Sequence, residues 1–220
     1  MKCYCFETES NFLYRVENAA EKALKNLQSD PYWTRDGYDS FTKTYPMESG
    51  HNDAWYSDPS YRHTIADNFA RLGASWLAGV FDWQSVLSAL AKTLNENKIE
   101  WYIIGSVSAA VLGAEIKPHD IDIIVHTRDF YKVKGLFTTC TVEPFVDNKG
   151  AWLVRYFGKL CVDGASVDVA ADDKMNLENH PYARALWNGF DVYIEPLQAR
   201  YATEIARHRT DRARAIEKIL

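Results

Sequence analysis

The sequence predicts an α/β (α+β) protein with a mixed β-sheet core, helices on at least one face, and a helical N-terminal extension. Three observations predict it. From Asp82 onward, segments with helical apolar spacing alternate with short segments of period two. Two of the latter, "DIDIIV" and "GASVDVA", carry acids flanked by β-branched residues, as strands with one polar face do. Before Asp82, apolar residues recur at three and four around a polar loop. These features divide the chain into residues 1–81, helical with an aromatic-rich loop, and residues 82–220, the core with C-terminal helices.

In chain order, "SNFLYRVENAAEKALKNLQ" has helical apolar spacing. The stretch "SDPYWTRDGYDSFTKTYPMESGHNDAWYSD" follows, full of turn formers yet rich in Trp and Tyr, so a loop that packs down is expected. Asp58-Pro59 is an N-cap and first turn for "SYRHTIADNFARLGASWLAGV", and Asp82 caps the amphipathic "DWQSVLSALAKTLNENK". Next come a strand "IEWYIIG", a short helix from Ser106 stopped by Gly113, and the strand "DIDIIV". A helix around Asp129 to Phe137 precedes strands at 139–146, 151–157 and 165–170. Asn188-Gly189 suits a hairpin turn before "FDVYIE", and helices run from Pro196 to the end.

With 220 residues, 47% apolar and 14% aromatic, the chain can bury a sizeable core. No apolar run is long enough for a membrane span, and "MKCYCFETES" turns acidic where a signal peptide would be apolar, so a cytoplasmic protein is expected. Cys3, Cys5, Cys140 and Cys161 show no CxxC spacing and read as reduced structural thiols. A net charge of −5 disfavours a surface built to grip extended nucleic acid. The basic residues of the last twenty, from Arg207 to Lys218, read as a solvated helix face rather than an RNA patch.

Chemistry concentrates in "IIGSVSAAVLGAEIKPHDIDIIV". Asp120 and Asp122 flank Ile121, so both carboxylates leave one face of a strand. At about 6.5 Å and an effective dielectric of about 20, their repulsion is roughly 2–3 kcal/mol, and something positive should offset it. Gly105-Ser106, between a strand and a helix N-terminus, offers backbone N–H groups and a hydroxyl to a phosphate. Asp168 shares its strand face with Ser166 and Ala170, so small side chains stand beside it and three carboxylates can converge. Such a cluster suits hard, oxygen-seeking cations such as Mg²⁺.

On "IIGS", "DIDI" and "VDVA", the chain resembles the nucleotidyltransferases of the DNA polymerase β-like superfamily, whose small members include antibiotic nucleotidyltransferases and minimal nucleotidyltransferase toxins. The resemblance covers about residues 83–220, and the thirteen residues between Ser106 and Asp120 put the gap at the long end of the family's range. It implies a mixed-sheet core in which Gly105 and Ser106 hold the β- and γ-phosphates of a nucleoside triphosphate. Asp120 and Asp122 would bind metal, two Mg²⁺ ions being implied. Asp168 would help bind the catalytic metal and act as general base on an acceptor hydroxyl, and displacement at the α-phosphate would release pyrophosphate. The tail "ARHRTDRARAIEKIL" resembles the family's closing signature but has His208 and Thr210 where Arg and Lys are common.

Secondary candidates are Lys117 and Arg155 as phosphate contacts and Asp172 or Asp173 as replacement third carboxylates. Two rival readings stand beside transfer: a non-catalytic nucleotide-binding sensor or partner module, and an HD-type metal phosphohydrolase built on His119-Asp120. Pro118 and the apolar run after it favour a strand over the helix the second requires. An antibiotic, a protein hydroxyl and a tRNA end are all open as acceptor, as is base preference. The N-terminal region is expected to supply part of an acceptor pocket or a homodimer surface.

Overall fold

The computed structural model describes residues 1–29, 32–46, 55–78, 81–150, 154–178 and 181–220. Its larger sheet has seven strands: β5 (Trp101–Ile104), β6 (Ile121–His126), β7 (Thr141–Asp147), β8 (Tyr156–Val162), β9 (Ala165–Asp172), β10 (Ala183–Trp187) and β11 (Phe190–Ile194). Their order is β10-β11-β5-β6-β9-β8-β7. The pairs β11/β5 and β6/β9 are parallel and the others antiparallel, so the core is the mixed sheet expected. The hairpin turn at Asn188-Gly189 is present, both residues having positive φ, 47° and 87°.

Period two decides which face of this sheet is buried. Ile121, Ile123 and Val125 of β6, Val167 and Val169 of β9, and Val192 and Ile194 of β11 enter one apolar core. Helices α3 (Trp83–Glu96) and α5 (Phe130–Leu136) cover that face with Val86, Leu87, Leu90, Leu94, Phe130 and Val133. Each such side chain contributes about 1.5–3 kcal/mol by leaving water. Helix α3 starts where expected because the Asp82 carboxylate accepts from the Ser85 backbone N–H at 3.2 Å. The other face carries Asp122, Ile124, Asp168 and Lys159, all half-buried.

The N-terminal region departs from expectation. Strand β1 (Lys2–Glu7) comes first, and instead of one helix through "SNFLYRVENAAEKALKNLQ" the chain forms strand β2 (Asn11–Glu17) and then helix α1, which begins at Glu21 and ends at Ser29. Strands β3 (Thr34–Arg35) and β4 (Phe41–Pro46) complete a sheet ordered β1-β2-β4-β3. The reason is that Phe12, Tyr14 and Val16 alternate with half-buried residues and fill the core at period two, although the wider apolar spacing also fits a helix. The aromatic stretch does pack down where it is described, with Phe41, Tyr45 and Trp55 buried. Residues 30–31 and 47–54 of it lie outside the described residues.

Helix α2 (Pro59–Ala78) begins at the expected cap, the Asp58 carboxylate accepting from the Ser60 N–H at 2.9 Å and the Tyr61 N–H at 3.2 Å. It lies with the small sheet against β7 and β8, where Tyr14, Ile65, Phe69 and Leu72 share a cluster with Val142, Val146 and Cys161. The Tyr14 hydroxyl donates to the Val142 carbonyl at 2.8 Å. Helices α4 (Gly105–Val111), α6 (Leu197–Ala206) and α7 (Thr210–Glu217) complete the chain, Ile216 packing beside Ala109 and Ala114. Strand β8 begins at Tyr156, later than the 151–157 expected, and residues 151–153 lie outside the described residues. Among the described residues, no helix is long and apolar enough to cross a membrane.

Candidate active site

The carboxylates come together through strand register. Asp122 of β6 is the direct partner of Asp168 on the parallel strand β9, and Ile104, the last residue of β5, faces Asp122 from the other side. The strand that ends at Ile104 therefore delivers the Gly105 turn onto Asp122. Gly105 has φ of 78°, and a Cβ there would lie 2.2 Å from Asp122 Oδ2, so only glycine fits. Asp120 stands just before β6, half-buried, with His119 Nε2 at 3.5 Å from its Oδ2.

Electrostatics mark the group as unusual. Burial, then the charges of Asp120 and Asp168, pushes the Asp122 carboxyl well above the usual carboxylate range, against the pull of Lys159 and Arg200. Burial also raises Asp168, opposed by Lys159 and assisted by Asp120. The positive partner expected from the sequence is Lys159 of β8, the register partner of Asp168, with Nζ 3.0 Å from Asp168 Oδ1. Burial disfavours its charge, but Asp168 and Glu143 outweigh that and raise its pKa.

Lys159 was missed by sequence reasoning, as was the pair behind it. Glu143 of β7 faces Lys159 across the β7/β8 ladder. Its Oε2 accepts from Lys43 Nζ at 2.7 Å and from the Tyr45 hydroxyl. Glu195 was missed too: β11 runs parallel to β5, so the residue after it arrives at the Gly105 turn. Its Oε1 accepts from the Gly105 N–H and the Ser108 hydroxyl, both at 2.7 Å. The Gly105 N–H is therefore not free for a phosphate. Behind it, Arg200 reaches Glu195 at 3.5 Å and Glu204 at 3.1 Å. The signal in the sequence would have been an acid directly after "FDVYI" and a pair spaced i, i+4, both common in surface helices.

Other candidates fall elsewhere. Arg155 turns to Asp147, with Nε and NH2 at 2.9 and 2.8 Å from its oxygens, and Lys117 is exposed. Asp172 ends β9 four register positions beyond Asp168, and Asp173 follows the strand. His119 and Asp120 precede a strand rather than lie on a helix. The basic tail is paired locally: Lys218 with Glu115 at 3.1 Å, Arg209 with Glu204 at 3.9 Å, and Arg212 with His119 Nδ1 at 3.1 Å.

The donor set suits a hard cation. Carboxylates on adjacent strands repel one another, and the buried Ser106 Oγ, one residue after the Gly105 turn, has no hydrogen-bond partner among the described residues. As the side chains stand, however, no three His, Cys, Asp or Glu among the described residues form a metal-holding group. Lys159 holds one oxygen of Asp168.

No family model matches the chain, and no curated protein matches it in sequence. Solved structures do resemble it. One is a Thermotoga maritima protein, TM1012, assigned as a nucleotidyltransferase, with TM-score 0.47 and 22% identity over 61% of this chain and 89% of its own. The lincosamide antibiotic adenylyltransferase LnuA, solved with lincomycin bound, has TM-score 0.48 and 11% identity over 62% of this chain and 97% of its own. The antibiotic-resistance factor ANT(2'')-Ia has TM-score 0.44 and 12% identity over 60% of this chain and 81% of its own.

Proposed function

We propose that this protein is a Mg²⁺-dependent nucleotidyltransferase that moves a nucleoside monophosphate from a nucleoside triphosphate to an acceptor hydroxyl and releases pyrophosphate. The observation that carries the reading is the register of Asp122 beside Asp168, with the Gly105 turn packed on Asp122. Carboxylates forced together on a half-buried face cost stability, a cost that binding divalent cations would recover.

In this reading Asp120 and Asp122, helped by Asp168, would hold the divalent cations, and Ser106, whose hydroxyl has no partner among the described residues, would donate to a phosphate oxygen. Mg²⁺ held there would supply positive charge to offset that of the phosphates as the displacement proceeds. Asp168 takes the proton of the acceptor hydroxyl on a carboxylate oxygen. The acceptor oxygen bonds to the α-phosphorus while the bond from that phosphorus to the bridging oxygen of the β-phosphate breaks, and the electron pair leaves with pyrophosphate. The net charge of −5 favours an acceptor other than extended nucleic acid.

The test is incubation with each α-labelled triphosphate, Mg²⁺ and a cell extract, asking what becomes labelled. Asp122→Asn is expected to reduce labelling by at least about a hundredfold. Full transfer by that variant would overturn the mechanism.

A further inference from the structure

One cross-strand rank of the large sheet runs Glu143, Lys159, Asp168, Asp122, each residue the register partner of the next on β7, β8, β9 and β6. Register partners share a face, so the four side chains form a ladder of acid, base, acid, acid. Lys43 of the N-terminal sheet adds a base at its end, 2.7 Å from Glu143. Lys159 thus stands between two carboxylates on its neighbouring strands and is bonded to one of them, Asp168 at 3.0 Å.

The other carboxylate is prepared to receive it. Glu143 is 5% exposed, and Lys43 and Tyr45 both donate to its Oε2. Among the described residues no hydrogen bond ends on its Oε1. Neighbouring strands are about 4.8 Å apart, well within the swing of a four-carbon lysine stem.

We infer that Lys159 is a positioning residue shared by two carboxylates: it holds Asp168 until a divalent cation takes that carboxylate, and Glu143, pinned by Lys43 and Tyr45, then receives it. The inference rests on the cation-binding reading of the carboxylate site. It makes the N-terminal sheet part of that site, because the group that receives the lysine is held by β4.

Titration of the full-length, metal-free chain with Mn²⁺ alone, followed by electron paramagnetic resonance, tests it, with thermal unfolding to confirm that each variant is folded. Lys159→Met removes the competing cation and should tighten Mn²⁺ binding by about fivefold or more. Lys43→Met leaves Glu143 freer to claim Lys159 and should shift affinity in the same direction. Glu143→Gln, which confines Lys159 to Asp168, should weaken Mn²⁺ binding by about fivefold. If Glu143→Gln does not fold, the two lysine variants decide the matter.

Wild-type binding that Asp122→Asn abolishes but Lys159→Met and Lys43→Met leave within about twofold overturns the inference and leaves the cation-site reading standing. Absence of Mn²⁺ binding by the wild type removes both.

Discussion

Gly105 and Asp122 show how far single residues constrain this site. The positive φ of Gly105 and the contact its Cβ would make with Asp122 predict that Gly105→Ala costs about 1–3 kcal/mol in denaturant unfolding. Asp122 predicts the opposite for stability. Its carboxyl is raised by burial and by Asp120 and Asp168, so the folded state holds its proton to higher pH than the unfolded chain does. The stability of the metal-free protein therefore falls as pH rises from about 4 toward the folded pKa. Asp122→Asn lacks that decline, and its melting midpoint at neutral pH should exceed wild type by about 2–5 °C. That Asp122 and Asp168 stand on the polar face was legible because strand period alone places an acid there. Lys159 was not, because "GKLCV" offers a lysine with nothing local to say that an aspartate on the next strand awaits it.

Elements were read well where one local rule dominated. Helices α2 and α3 begin at Asp58 and Asp82 because a carboxylate meets free N–H groups whatever the surroundings. Strand β2 was misread because Phe12, Val16, Ala19, Ala20, Ala23 and Leu27 satisfy helical spacing while Phe12, Tyr14 and Val16 satisfy strand spacing. Pairing with β4 settled it. The end of β7 carries a testable feature. Hydrogen bonds from Arg155, against the effect of burial, hold the Asp147 carboxyl well below the usual range. That contribution is present above about pH 4 and is lost as pH falls through the lower folded value. Asp147→Asn should therefore destabilise at pH 7 by about 1–2 kcal/mol, and the difference from wild type should shrink progressively as pH falls below about 4, by urea unfolding at each pH.

At the scale of the molecule, the N-terminal sheet and the core share one apolar cluster, and every residue of β7 is buried. The full chain is expected to unfold in one transition, with tryptophan fluorescence and far-ultraviolet circular dichroism coincident. A chain lacking residues 1–80 would expose Val142 and Val146 and leave Glu143 without Lys43 and Tyr45, so it should aggregate or lose most of its melting cooperativity. Separable transitions, or a well-folded truncated chain, would show the two regions to be independent.

The amino-acid sequence by itself determined the alternation of helix and strand after Asp82, the helix caps, the turn at Gly105 and which acids stand on the polar face. These depend on backbone geometry and neighbours a few residues away. Only the tertiary structure decided which strands lie side by side, and hence that Asp122 meets Asp168, Lys159 offsets their charge, and Glu143 and Glu195 close the site from opposite sides. Strand order is settled by burying apolar faces against partners distant in the chain, and no local pattern encodes that choice.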